Sequence, residues 1–94
     1  MDAEFEWDTE KAESNLQKHG VSFEEAATVF FDPLSLTIPD PSHSAEENRF
    51  VTIGLSNQQH HIVVVHSERD DRIRIISARH AASSERKKYE SGIE

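Results

Sequence analysis

Arginine is the residue type with chemical potential in the second half of this chain. The stretch Asp71 to Tyr89, DRIRIISARHAASSERKKY, reads as a hydrophobic strand that carries arginines, then a short turn, then a basic helix. Seven of the ten Lys and Arg residues lie between His60 and Tyr89: Arg69, Arg72, Arg74, Arg79, Arg86, Lys87 and Lys88. A guanidinium is a rigid fork of donors that fits phosphate oxygens, so the first expectation is a phosphate-handling surface. Strands pleat with period two. That places Ile73, Ile75, Ser77 and Arg79 on one face, and Arg72, Arg74, Ile76 and Ala78 on the other. Arg49, Arg69, Arg74 and Arg79 lie on strands or strand ends that adjoin in a meander, so several can converge on one phosphate. Arg79, where the IISAR strand leaves the sheet, is the strongest single candidate. Its competing role is a structural pair with Glu85 or with a helix end.

The elements that must position these residues follow from the apolar spacing. Phe5-Glu6-Trp7 predicts a short extended segment before a helix capped by Asp8 and ended by Gly20. Its weak stripe is Ala12, Asn15, Leu16 and His19. Ser22 and Glu25 form a capping box for a second helix, with Phe23, Ala26, Ala27, Phe30, Phe31 and Leu34 as its core face, stopped by Asp32-Pro33. Short strands are expected at Ser35–Ile38, Arg49–Leu55, His61–Ser67 and Arg72–Ala78, the third of them central because Ile62–Val65 is continuously apolar. Ser56–Gln59 and the charged segment Glu68–Asp71 are the turns. Ser83 or Ser84 caps a last helix of about two to three turns. Two helices, an antiparallel β-meander of three to four strands, and a C-terminal helix make an α+β domain with its helices on one sheet face.

Composition narrows the function classes. Ninety-four residues suffice for one modest core, so a single domain over 1–94 is expected. No apolar run approaches the roughly 18 residues that span a bilayer, which excludes a membrane partner on this reading. Absence of cysteine excludes a disulfide framework and fits the cytoplasm. The six histidines match no zinc spacing, so no metal cofactor is expected. The net charge of −8 is uneven. Residues 1–48 hold two lysines against twelve acids, whereas residues 60–89 hold seven bases against four acids. A basic patch can hold an anion on an acidic protein because salt screens charges beyond roughly 10 Å.

Several blocks in order resemble the BrnT-type toxins: FEWD at Phe5–Asp8, KHGVSFEEA at Lys18–Ala26, VFFDP at Val29–Pro33, the DPSHS…E-N-R loop from Asp40 to Arg49, TIG at Thr52–Gly54, and IRIISAR with ERKKYE. The resemblance covers nearly the whole chain. It implies a RelE-like fold and a metal-independent ribonuclease that inhibits translation. It further implies a ribbon-helix-helix antitoxin of the BrnA type, whose complex with the toxin binds operator DNA and autoregulates the operon.

Metal-free RNA cleavage proceeds by attack of the ribose 2′-hydroxyl on the adjacent phosphate. It needs a base at that hydroxyl, cations around the phosphorane oxygens and a proton donor to the leaving 5′-oxygen. Arg49, Arg69, Arg74 and Arg79 suit the cationic role. His19, His43, His66 and Glu68 are the proton-transfer candidates, with His19 and Glu68 preferred. His19 can instead serve the first helix end, and His43 its own loop. Lys18, Arg72, Arg86 and Tyr89 are expected to bind substrate, Tyr89 by stacking unless it points to the core. The alternative is a non-catalytic module that binds the antitoxin and acts as co-repressor, its arginines paired with acids.

Overall fold

The computed structural model describes residues 4–42 and 48–92. The order is β1 (Glu4–Glu6), α1 (Thr9–His19), α2 (Phe23–Thr28), a 3₁₀ turn (Val29–Phe31), β2 (Leu36–Pro39), β3 (Arg49–Leu55), β4 (His61–Arg69), β5 (Arg72–His80) and α3 (Ser83–Ser91). The first helix starts and stops as its residues dictate. Asp8 accepts the Glu10 N–H at 2.8 Å, and Gly20, at φ +72°, returns its N–H to the Leu16 carbonyl. At α2, Ser22 accepts the Glu25 N–H at 3.0 Å. The Glu25 carboxylate turns away from the helix and accepts from Ser56 and His60 instead. At the last helix the expected serine cap is absent: Ala82 is the N-cap, and its N–H is bound by Glu85 at 2.8 Å.

Five strands form one sheet in the order β1-β5-β4-β3-β2. β2 to β5 are the expected antiparallel meander, with β4 at its centre, but β1 adds a fifth strand that runs parallel to β5. Three residues are too few to show a period, which is why Phe5-Glu6-Trp7 reads only as extended. Glu68 and Arg69 extend β4, so the hairpin turn narrows to Asp70-Asp71, with Asp70 at φ +55°.

α1 and α2 cover one face of the sheet. Val21, Phe23, Ala26 and Val29 pack there on Ile62, Val64, Ile75 and Ala78. Trp7 meets Phe23 edge-on, and Phe5 packs on Phe30. Two expected core residues are not buried: Phe31 and Leu34 are each 68% exposed. The chain tightens from α to 3₁₀ at Val29, and three residues per turn carry Val29 inward and Phe31 outward. Gly54 lets this turn lie on β3, since a Cβ there would stand 2.7 Å from Val29. α3 does not join the other helices. It crosses the end of the opposite, open face, where Glu85 meets Arg79 and the Tyr89 ring meets His61.

The parity of β5 changes partway along it. Val65 pairs with Ser77 while the next residue, His66, pairs with Ile75, so Ile76 is the extra residue of a β-bulge. Ile75 and Ala78 consequently share the helix-covered face, contrary to the period-two expectation. Arg72 and Arg74 stand with Arg79 on the open face.

The outer edge of β5 is paired with β1 only over Arg72–Arg74. Farther along, the buried Asn15 side chain substitutes for a strand. It donates to the Ala78 carbonyl at 2.8 Å and accepts the Ala78 N–H at 3.1 Å, and also donates to the Val21 carbonyl. Asn15→Ala leaves these buried groups without partners, at about 1–3 kcal/mol for each lost satisfaction. The variant is expected to lose on the order of 2–4 kcal/mol, read as a lowered midpoint in urea unfolding with an unchanged slope.

Candidate functional site

The open face of the sheet carries Arg49, Arg69, Arg72, Arg74 and Arg79. Arg49 and Arg74 flank Ser67 on adjacent strands, and Arg69 faces Arg72 beside the hairpin. β1 supplies acids to one flank of this field. Glu6 binds Arg72 at 3.1 Å and approaches Arg74 at 3.6 Å, while Glu4 is 3.7 Å from Arg72. The hydrogen bond from Arg72 holds the Glu6 carboxyl below its ordinary value.

The concave part of the face is a cleft of about 500 Å³ whose lining includes Arg49, Val51, Ile76, Arg79, Asp40 and Glu85. Arg49 and Arg79 are therefore brought to one hollow by β3 and β5. Arg79 engages Glu85 with two bonds of 2.8 Å, and reaches the His80 carbonyl at 3.4 Å. The Arg79 guanidinium, helped by the Ala82 N–H, depresses the Glu85 carboxyl below the usual range. The same hydrogen bond raises the Arg79 pKa further. Arg69 and Arg74 do not line this cleft. Arg69 borders a second hollow of about 450 Å³ with Asn48, Ser67, Glu68 and Asp70, and among the described residues it makes no ion pair.

The other sequence-chosen residues lie elsewhere. Lys18 and His19 end α1, which packs against β5, and neither lines the cleft. Arg86 pairs with Glu90 at 3.7 Å along α3. Tyr89 neither stacks in the cleft nor enters the core. It donates to Asp32 at 2.5 Å and tethers α3 to the end of the sheet. Asp32 also accepts the N–H groups of Leu34 and Leu55. Burial acts to raise the Asp32 pKa, but these three bonds outweigh it and lower the value. The Tyr89 hydroxyl is pushed up to about 12 by burial and by that carboxylate. His43 falls outside the described residues. Glu85 was missed as a cleft residue because the sequence shows it only as the partner of Arg79.

His66 is not available for proton transfer. It is fully buried on the helix-covered face, with Nε2 2.8 Å from the Thr52 hydroxyl, which in turn bonds Thr37 at 2.7 Å. Phe30 and Phe50 enclose the ring, and Glu68 comes only to 3.6 Å from Nδ1. Burial pushes its pKa down to about 4.

Residues 7–85 match the model of the family described as ribonuclease toxin, BrnT, of type II toxin-antitoxin system. The chain belongs to the BrnT family. Among solved structures it is similar to the Brucella abortus ribonuclease toxin BrnT, determined at 1.1 Å, with a TM-score of 0.68 and 23% identity over 86% of this chain and 99% of that one. At that identity the likeness carries the fold, an α+β arrangement of three helices and a five-stranded sheet. No curated protein matches. The BrnT family match ends at Glu85, inside the first turn of α3. Among the described residues no three metal-ligating side chains gather, and no helix is long and apolar enough to cross a membrane.

The His66 environment sets a pH dependence. Its folded pKa of about 4 lies below the ordinary 6.5, so the unfolded chain binds more protons between those values. Its stabilising contribution is complete above pH 6.5 and is lost as pH falls toward 4. That contribution is on the order of 3 kcal/mol. Urea unfolding across this window should show the slope in the wild type and a flatter one in His66→Gln.

Proposed function

We propose that this chain is a metal-independent endoribonuclease toxin that inhibits translation and growth, acting through the arginine-bearing cleft of its open sheet face. The observation that carries the reading is the convergence of Arg49 and Arg79, from separate strands, on one hollow that also holds a carboxylate. Two guanidinium groups can neutralise the non-bridging oxygens of a phosphodiester as charge builds on them during attack by the 2′-hydroxyl. Arg69, Arg72 and Arg74 extend the positive field along the same face and guide the RNA backbone toward the cleft. Family membership supports RNA as the substrate, and the layer arrangement fits a RelE-like fold.

The partner on this reading is a ribbon-helix-helix antitoxin that covers the arginine face. Through the antitoxin, the complex binds operator DNA and represses its own operon in the cytoplasm. A co-repressor without catalysis is the second reading, favoured by one observation: Arg72, Arg74 and Arg79 are already paired with Glu4, Glu6 and Glu85. A phosphate must compete with those carboxylates, though most of the pairs are exposed and so hold weakly.

Expression without a partner separates the two readings. The ribonuclease reading expects growth arrest with RNA decay, and cleavage by purified protein that persists in EDTA. Arg79→Ala and Arg49→Ala should each lower cleavage by about 10²–10³-fold, as loss of one charge-stabilising donor does. Normal growth and intact RNA at good expression of folded protein would leave the co-repressor.

A further inference from the structure

The cleft must contain a proton acceptor if RNA is cut there, and none of the described histidines lines it. Among the described residues lining the cleft, Asp40 and Glu85 are the groups that can accept a proton at neutral pH. Asp40 is a buried wall residue whose Oδ1 accepts the Ser42 N–H at 3.0 Å and so fixes its own turn. Glu85 is better placed. Its carboxylate lies 2.8 Å from the guanidinium of Arg79 and keeps 28% of its side chain exposed.

Hydrogen-bond capacity shows how both partners can serve substrate together. A guanidinium has five N–H donors. Arg79 directs one to each Glu85 oxygen and one to the His80 carbonyl. Nε–H and one N–H of Nη2 are left to bind a phosphate oxygen. On Glu85, Oε1 accepts from both Arg79 and the Ala82 N–H, whereas Oε2 accepts only from Arg79. A lone pair on Oε2 therefore remains beside the position of that phosphate, where a 2′-hydroxyl can donate.

We propose that Glu85 is the general base of RNA cleavage, held against Arg79 so that one guanidinium positions both the base and the scissile phosphate. This rests on the ribonuclease reading above. The 2′-hydroxyl proton passes to Glu85 Oε2 as the 2′-oxygen bonds to phosphorus. The bond from phosphorus to the 5′-oxygen breaks on the opposite side, and that oxygen takes a proton from water. The hydroxide so formed is neutralised when Glu85 returns its proton to solvent. The products are a 2′,3′-cyclic phosphate and a 5′-hydroxyl. Because Arg79 keeps Glu85 ionised, the base is active through neutral pH and fails only in acid.

The test uses the full chain, single-turnover cleavage of a short oligoribonucleotide, and binding of its uncleavable 2′-deoxy counterpart. Glu85→Gln keeps the shape and the acceptor for Ala82. It should lower the cleavage rate about 10²–10⁴-fold, bind the deoxy oligonucleotide at least as tightly because no carboxylate then competes with the phosphate for Arg79, and abolish the acid limb of the pH–rate profile. If E85Q does not fold, Glu85→Asp carries the test: cleavage should fall at least tenfold (~1.4 kcal/mol), with the acid limb retained. Wild-type cleavage rates in E85Q overturn the assignment while leaving the ribonuclease reading intact. So does tighter binding with faster cleavage, which would make Glu85 a plug on Arg79. A folded wild-type chain that leaves the RNA uncut overturns both.

Discussion

One surplus residue in β5 decides what this sheet can do. Without Ile76 as a bulge, strict alternation would turn Arg79 toward the apolar layer that receives Ile75. With it, Ile75 and Ala78 remain against the helices, and Arg79 faces outward with Arg72 and Arg74. The bulge leaves a residue unpaired and bends its strand. In exchange the core keeps its methyl groups, and the cations share a solvent-facing surface. Burying an unpaired guanidinium would cost several kcal/mol, so the alternative arrangement is not a competitor.

The distribution of charge follows the same geometry. The acidic first half is not merely a solvated counterweight, because Glu4 and Glu6 are carried by β1 to the arginine face. They temper one flank of the field and leave the cleft at the other. Within the cleft the carboxylate comes from α3, an element with no buried residue that is fixed by polar contacts at Glu85 and Tyr89. Asp32 receives the Tyr89 hydroxyl while binding the β3 end and its own turn. Position of the cleft carboxylate thus depends on side chains distant in sequence but adjacent at the sheet end.

Much of the fold was legible because local chemistry dictates it. Asp8, Ser22 and Gly20 mark helix ends through hydrogen bonds that need no tertiary knowledge, and β3 spans Arg49–Leu55 as its alternation requires. The failures share a cause. A bulge leaves no periodic signature, so the two arginine groups looked separated. A 3₁₀ turn shifts the period from 3.6 to 3, so Phe31 and Leu34 looked buried. Glu25 reads as half of a capping box, yet its carboxylate is engaged by Ser56 and His60 far along the chain. That Arg49 and Arg79 can meet over one hollow was legible from their positions on adjoining strands. The companion carboxylate was not, because histidine is the expected proton carrier near neutrality and the structure places His66 in the core and His19 at the end of α1.

The Asn15 amide has a consequence for self-association. Bare strand edges are templates on which identical chains stack. Here β1 pairs with one end of β5, and Asn15 occupies its backbone farther along, so that margin offers little continuous ladder to a newcomer. β2 is the opposite margin. Two copies joined edge to edge through β2 across a two-fold axis would leave outward only the short β1 margins. Open-ended fibres require both margins, and among the described residues the β1 margin offers a ladder of only three residues.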